Sequence, residues 1–192
     1  MAATPSRMVS LGTTMPAFTL PDTISGKLLE SAVLAGRPSV VIFICNHCPY
    51  VKLIQAGLAD FGRFCREKNV PMVAISSNDA NKYPDDAPAA MAEEAARAGY
   101  VFPYLYDESQ AVAKAFDARC TPDLFIFDSS GKLAYRGQFD DARPGNGLPV
   151  TGADARAAVE ALLTGQRPAA LQKASIGCNV KWKPGNEPDL VT

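Results

Sequence analysis

The stretch SVVIFICNHCPYVK, residues 39–52, decides the fold, because a strand runs into a helix through a Cys-x-x-Cys pair. Its first part, 39–45, is an almost unbroken run of β-branched and aromatic residues, which is typical of a strand buried on both faces. Residues 49–67 then carry apolar side chains on one stripe at helical spacing, which predicts a helix. Cys45 and Cys48 are therefore expected at the junction between this strand and this helix.

Length and composition indicate one globular domain with a substantial core, since the chain has 192 residues of which 47% are hydrophobic. The formal net charge of −1 gives no basic patch for nucleic acid or an anionic membrane. No apolar run approaches the roughly 18 residues of a transmembrane helix. Residues 1–20 lack the apolar segment of a signal peptide, so we expect a cytoplasmic protein, or one given without its leader.

The remaining pattern predicts a mixed α/β sheet flanked by helices. A short hairpin is expected over residues 17–29 near the N-terminus, and a β-hairpin surrounds Asp-Ser-Ser-Gly-Lys at 128–132. The order of the elements gives a βαβ half that feeds an antiparallel hairpin and a final helix. The other expected elements are a buried strand at 70–77, an alanine-rich helix at 85–99, a short extended piece at 102–107 and helices at 109–118 and 153–165.

The cysteines indicate catalytic or metal chemistry rather than a structural disulfide framework, because their number is odd and their spacing irregular. One of them, Cys65, falls on the apolar stripe of the predicted helix and is expected in the core. The five are Cys45, Cys48, Cys65, Cys120 and Cys178.

A thiolate is favoured at the junction, because a helix N-terminus carries unpaired N–H groups and a partial positive charge. In such a setting the pKa of a cysteine falls from about 8.5 to between roughly 3.5 and 7.5. We expect Cys45 to be the more exposed, attacking sulfur and Cys48 to be the resolving thiol a turn inside. His47, when protonated, adds positive charge beside them.

The chain resembles the thioredoxin-like superfamily, and more closely its peroxiredoxin-like, redoxin branch, over about residues 9–190. The motifs CNHCPYVK, CTPDLFIFD, YRGQFDD and SIGCNVKWKPGNEP carry the resemblance. It implies a thioredoxin-like fold, a thiol redox role and no organic cofactor. It also implies a cis-proline loop at Thr121 and Pro122 that faces the dithiol and, with Cys120, lines the substrate groove.

Several positions depart from the patterns of these families. Residues 39–44 contain no carboxylate of the kind that thioredoxins bury before the dithiol, and Ile44 replaces their tryptophan. In the peroxiredoxin pattern P-x-x-x-T-x-x-C, counted back from Cys48, Cys45 occupies the threonine position and Val41 the proline position. The arginine that peroxiredoxins place near the position of Pro122 is also missing. The peroxide-activating set is therefore incomplete.

The C-terminal segment, residues 168–192, is expected to form a tail that packs on a domain spanning 9–167. Ile176 and Trp182 give this tail apolar side chains to bury, and we expect it to fold back near the edge of the active site. The acidic residues at 85, 86, 140 and 141 are interpreted as caps and loop acids, and the arginines at 136 and 143 as their surface partners.

These observations predict a thiol–disulfide oxidoreductase that uses the Cys45–Cys48 dithiol. Its partners would be a protein or small-molecule disulfide and, as electron donor, a reductase or a low-molecular-weight thiol, with the chain a monomer or a dimer. One alternative is a thiol peroxidase that uses Cys48. Another is a metal-binding module of Cys45, His47 and Cys48 with Cys120 or Cys178, and the last is a non-catalytic interaction domain.

Overall fold

The computed structural model describes residues 3–188, which form a layered α/β fold. The four α-helices of this part of the chain are α1 (Pro49–Glu67), α2 (Pro88–Ala98), α3 (Ala111–Phe116) and α4 (Ala153–Leu163). Its strands are β1 (Ala3–Pro5), β2 (Thr19–Pro21), β3 (Leu28–Glu30), β4 (Ser39–Phe43), β5 (Met72–Ser76), β6 (Tyr104–Tyr106), β7 (Cys120–Thr121), β8 (Asp123–Phe127), β9 (Leu133–Gly137) and β10 (Ile176–Asn179). No helix within 3–188 is long and apolar enough to cross a membrane.

The central sheet has five strands in the order β6-β5-β4-β8-β9. β4 pairs parallel to β5, β5 pairs parallel to β6, and β8 is antiparallel to both β4 and β9. Each residue of β4 is buried, as its continuous apolar run predicts for the middle strand of a covered sheet. The mixed sheet, the N-terminal hairpin of β2 and β3, and the β8–β9 hairpin confirm the predicted thioredoxin-like architecture.

Alternate residues of β4 feed two separate cores, because successive side chains of a strand point to opposite faces. Val40 and Ile42 pack into a larger core that also contains the buried stripe of α1 and residues of α2 and α4. Val41 and Phe43 pack on the other face with Phe116 of α3 and the N-terminal hairpin. Burying each such large apolar side chain contributes roughly 1.5–3 kcal/mol, so both faces of the sheet are held strongly.

The C-terminal tail returns to the domain as the middle strand of a second, three-stranded sheet in the order β1-β10-β7. Beyond β10, the Lys181 N–H donates to Asn78 Oδ1 and its carbonyl accepts from the Asp79 N–H, just past the end of β5. Trp182 packs against the second core, whereas Ile176 is 38% exposed, so the prediction that both are buried is wrong for Ile176. The buried part of β10 is its centre, and Ile176 lies at its end.

The tail was predicted to span 168–192, and its last four residues lie outside the described part of the chain. A domain boundary after residue 167 stays a prediction. The three-stranded sheet joins the tail to residues 3–5, which precede the predicted domain start at residue 9. The first and the last strand of the described chain therefore pair with each other in one sheet.

Arg136 is completely buried, which corrects the prediction that it is a surface partner of loop acids. Its guanidinium donates to Asp123 at 3.2 Å and to Ser6 at 3.0 Å, and it lies 4.2 Å from the centre of the Phe125 ring. A buried charge is tolerated only when it is paired and hydrogen-bonded, and these contacts satisfy that condition. Arg136 therefore ties β9, β8 and the N-terminal segment together.

Candidate active site

The Cys-x-x-Cys pair lies at the end of β4 that faces the start of α1, as the sequence predicts. β4 ends at Phe43, Cys45 follows two residues later, and Cys48 is the N-cap residue of the helix. Pro49 occupies the first helical position, where its fixed φ suits the helix and its missing N–H costs no hydrogen bond. The backbone therefore turns from strand to helix directly at the two sulfurs.

Both sulfurs are buried, so the expected exposure of Cys45 to solvent is not observed. Cys45 is 1% exposed and Cys48 is not exposed at all, and both belong to the larger core. Thr121 contacts both of them: its Oγ1 lies 3.3 Å from the Cys45 sulfur and its carbonyl oxygen 3.1 Å from the Cys48 sulfur. The loop before Pro122 thus closes over the pair.

Cys48, rather than Cys45, is the sulfur that the surroundings stabilise as a thiolate. Hydrogen bonding from the Cys45 thiol contributes most to lowering the pKa of Cys48 to about 4, and it outweighs the opposing effect of burial. The Cys178 thiol and the Val51 N–H in the first turn of the helix act in the same direction. The Thr121 carbonyl can only accept and so favours the neutral thiol, but these donors outnumber it.

Cys45 is held as a thiol by the same arrangement. Its hydrogen bond to the Cys48 sulfur is the main reason that its pKa lies well above the ordinary value, and burial and the Asp86 carboxylate add to the effect. A proton shared between two adjacent sulfurs remains on the one nearer the negative charge. Cys48 is therefore the more acidic of the two thiols and Cys45 is its proton-bearing neighbour, which is the opposite of the expected order of acidity. Which sulfur attacks a substrate stays a prediction.

His47 is fixed by Asp86 and does not extend into solvent. Its Nδ1–H donates to Asp86 Oδ2 at 2.7 Å, its ring stacks on Tyr83 with centres 5.1 Å apart, and its side chain is only 14% exposed. Its Nε2 has no hydrogen-bond partner among the described residues. An imidazole oriented by a carboxylate with one free ring nitrogen can accept or deliver a proton beside the sulfurs.

Asp86 is the residue of this site that the sequence analysis missed, since it was interpreted as a cap or loop acid. Its carboxylate is completely buried and also accepts the Asn46 N–H and the Asn78 side-chain amide, each at 2.8 Å. Burial raises the pKa of Asp86, but the hydrogen bonds from His47 and Asn78 outweigh it and hold the pKa below the ordinary value. No spacing signal indicated this role, because Asp86 is far from the dithiol in sequence.

The peptide bond between Thr121 and Pro122 is cis, as the resemblance implies. A small groove beside it is lined by Pro122, by the apolar or aromatic residues Tyr50, Ile54, Phe139, Ala142 and Ile176, and by the polar or charged residues Gln138, Asp140, Arg143 and Ser175. Of the three residues predicted to bind substrate, only Pro122 lines this groove. Thr121 and Cys120 are buried beneath it, and the Cys120 thiol donates to the Pro122 carbonyl at 3.4 Å.

Three possible metal ligands also meet at this site. The sulfur of Cys45, a ring nitrogen of His47 and a carboxylate oxygen of Asp86 all lie within 4.8 Å of one another. Neither Cys48 nor the cysteines of β7 and β10 join this group, so the four-ligand set considered from the sequence does not form within residues 3–188. A closed structural zinc site needs four ligands, and this group supplies three.

Comparisons with known proteins agree with this fold. The profile of the AhpC/TSA family matches residues 11–136. An uncharacterized conserved protein from Geobacillus kaustophilus is 50% identical, with 96% of this chain and 98% of that chain covered and a TM-score of 0.94. A hypothetical protein from Sinorhizobium meliloti 1021 is 48% identical, with 95% of this chain and all of that chain (100%) covered and a TM-score of 0.92.

A more distant similarity links the fold to a named redox protein. The peroxidoxin BcpB from Mycobacterium tuberculosis is 20% identical, with 83% of this chain and 99% of that chain covered and a TM-score of 0.61. None of the curated proteins matches the chain. The family profile covers well over half of the sequence, and the cis-proline loop beside a dithiol is in place. The chain belongs to the AhpC/TSA family of thioredoxin-fold redox proteins.

Proposed function

We propose that the protein is a thiol–disulfide oxidoreductase that uses the Cys45–Cys48 dithiol. The observation that carries the proposal is the placement of both sulfurs at the N-terminus of α1, each in contact with Thr121 and therefore one residue from the cis-proline. A stabilised thiolate beside a second thiol is the arrangement that exchanges disulfides through a mixed intermediate.

In the proposed reaction, the Cys48 thiolate attacks one sulfur of a substrate disulfide. A mixed disulfide forms and the other substrate sulfur leaves as a thiolate. Cys45 then loses its proton, attacks the Cys48 sulfur and releases the second substrate thiolate, which leaves a Cys45–Cys48 disulfide. A ring nitrogen of His47 lies within 4.8 Å of the Cys45 sulfur, so we propose that His47 accepts this proton through one water, with the Asp86 carboxylate stabilising the resulting imidazolium.

Substrate must reach sulfurs that are closed to solvent in this form. Pro122 lines a groove and directly follows Thr121, which contacts both sulfurs. We propose that an extended segment carrying a disulfide binds in this groove. Its lining combines apolar with polar and charged side chains, and backbone groups beside a cis-proline offer hydrogen bonds to an extended peptide. The electron donor is proposed to be a reductase or a low-molecular-weight thiol, in the cytoplasm.

The test is a redox titration in glutathione buffers, with thiols trapped in acid and cysteine pairs mapped by peptide mass spectrometry. We expect a Cys45–Cys48 disulfide in the wild type, and reduction of a model disulfide that is lost in Cys48→Ser. Cys65→Ser is the matched control, because Cys65 is equally buried but lies on the body of α1 and, unlike Cys45 and Cys48, has no contact with Thr121 among the described hydrogen bonds. Absence of the Cys45–Cys48 disulfide across the accessible potentials would refute the proposal.

A thiol peroxidase that uses Cys48 is the second candidate, favoured by the lowered pKa of this thiol. Against it, no arginine donates a hydrogen bond to either sulfur in the described chain, and Arg136 is committed to Asp123. Stopped-flow mixing of the reduced protein with hydrogen peroxide distinguishes the two. Rapid formation of sulfenic acid at Cys48 would favour the peroxidase.

A further inference from the structure

We propose that Cys178 is a third redox-active thiol of this site. It replaces Cys45 as the disulfide partner of Cys48, so that a Cys48–Cys178 disulfide joins the helix start to the C-terminal strand. The inference rests on the proposed function and extends it, because it gives the oxidised dithiol a buried exchange partner within the same chain. The proposed reaction of the Cys45–Cys48 dithiol does not need Cys178, and the family similarity assigns it no role.

The strand register brings Cys178 to the dithiol. In the antiparallel pairing of β10 with β7, Cys178 lies opposite Thr121, whose carbonyl oxygen is 3.1 Å from the Cys48 sulfur. Directly paired residues of antiparallel strands have Cα atoms about 4.5–5.5 Å apart. Cys178 is buried and belongs to the same core as Cys45 and Cys48. Of the two sulfurs that flank Cys48, one is three residues before it in sequence and the other comes from the C-terminal strand.

Gly177 makes this close approach possible. A Cβ atom on Gly177 would lie 2.0 Å from the Thr121 carbonyl oxygen and 2.5 Å from its carbon, which no side chain could occupy. The backbone of β10 therefore passes against the backbone of the cis-proline loop with nothing between them. The tail is built to place the next residue, Cys178, beside the sulfurs.

Cys48 and Cys178 each affect the pKa of the other. The Cys178 thiol contributes to lowering the pKa of Cys48, while burial and then the interaction with Cys48 raise the pKa of Cys178 to about 12. Once Cys48 is part of a disulfide it carries no negative charge, so this second contribution disappears. Oxidation of the dithiol thereby removes one of the effects that keep Cys178 protonated.

The exchange balances without a further oxidant. Cys178 loses its proton and attacks the Cys48 sulfur of the Cys45–Cys48 disulfide. The Cys48–Cys178 bond forms, the Cys45–Cys48 bond breaks, and Cys45 leaves as a thiolate that takes up a proton from solvent or from His47. One disulfide replaces another, so the oxidation state of the protein does not change.

The other two cysteines do not fit this role. Cys65 lies in the core on the body of α1, and burial raises its pKa to about 12. Cys120 pairs with Asn179, and its thiol donates to the Pro122 carbonyl instead of to a sulfur. Neighbouring residues of a strand point to opposite faces, so Cys120 and Thr121 cannot both face the dithiol.

The experiment compares disulfides in the wild type, Cys45→Ser and Cys45→Ser/Cys178→Ser after oxidation with diamide, acid trapping and non-reducing peptide mapping. In Cys45→Ser we expect a Cys48–Cys178 disulfide as the main product. In the double variant, oxidised glutathione added before the acid trapping should react with Cys48, release one reduced glutathione and remain on Cys48 as a mixed disulfide. Cys45→Ser/Cys65→Ser is the matched control and should still form Cys48–Cys178.

The wild-type map separates failure of this inference from failure of the proposed function. A wild type that shows Cys45–Cys48 as its sole disulfide, together with Cys48 left unpaired or glutathionylated in Cys45→Ser, would overturn the inference while the oxidoreductase proposal stands. Detection of both Cys45–Cys48 and Cys48–Cys178 in the wild type would support it without any variant that could fail to fold. A Cys48–Cys178 disulfide that forms without any Cys45–Cys48 disulfide would contradict both the proposed function and the exchange, because Cys178 would then have no Cys45–Cys48 bond to replace.

Discussion

Replacing Gly177 with alanine should undock the C-terminal strand from the active site. The added Cβ would meet backbone atoms of Thr121 at 2.0 and 2.5 Å and the Pro122 nitrogen at 3.1 Å. Contacts under 3 Å with backbone cannot be relieved by a rotamer change, so either β10 or the cis-proline loop must move. Because Gly177 does not have a positive φ, the effect comes from this clash and not from backbone strain.

The magnitude follows from what the movement breaks. Overpacking a well-packed site costs about 1–3 kcal/mol. Loss of the paired positions Cys178–Thr121 and Asn179–Cys120 removes hydrogen bonds that contribute about 0.5–1.5 kcal/mol each. We therefore expect the free energy of unfolding to fall by about 2–6 kcal/mol, with Cys178 and Cys48 becoming reactive toward thiol reagents.

Urea denaturation measures the first effect, and the rate of reaction with a chromogenic disulfide under native conditions measures the second. Leu171→Ala is the control, because Leu171 belongs to the same tail but is 95% exposed and should change neither quantity. If Gly177→Ala unfolded within about 0.5 kcal/mol of the wild type and its thiols stayed unreactive, the close packing of β10 on the loop would be refuted.

Three further perturbations address the chemistry of the site. As the reduced protein is acidified from neutral pH, the thiolate absorbance near 240 nm should persist and then disappear near the Cys48 pKa of about 4. Cys48→Ser should lack this transition. A transition of the wild type near pH 8–9 would contradict the assignment. Asp86→Asn should destabilise the protein by about 1–3 kcal/mol at neutral pH, since a buried, hydrogen-bonded carboxylate is lost. The pKa of Asp86 is lowered in the folded state, so its carboxylate stabilises the protein above the unfolded pKa, and this stabilisation is lost as pH falls through the folded pKa. The difference in free energy of unfolding between Asp86→Asn and the wild type should therefore shrink in acid. A difference that stays constant with pH would contradict this role of Asp86. Treatment with a chelator should leave disulfide reduction unchanged, whereas loss of activity restored by zinc would indicate that Cys45, His47 and Asp86 hold a metal.

Local pattern was sufficient for the strand, the helix and their junction. The helix predicted at 49–67 is observed over the same residues, because its apolar stripe and the proline at its start act within a few turns. The hairpins and the core position of Cys65 were likewise predictable. In these cases the signal and the structure it produces occupy the same short segment.

The burial of Arg136 and Asp86 could not be predicted from local sequence pattern. A charged residue in a hairpin or beside a helix start is normally solvated, so the sequence favoured surface and capping roles for them. Each is instead buried against a partner from elsewhere in the chain, Arg136 with Asp123 and Asp86 with His47. Such pairing is decided by which elements pack together, and residue type alone does not reveal it.

The sequence by itself determined that a Cys-x-x-Cys pair stands between a buried strand and a helix, because hydrophobic periodicity and a proline at the helix start are local properties. Only the tertiary structure decided which of the two thiols is the more acidic. That choice depends on the Cys178 thiol from a returning tail, on Thr121 from the cis-proline loop and on the Asp86 charge, and these groups meet only after the chain has folded. Acidity depends on distances in space, and distances in space between remote residues are fixed by packing.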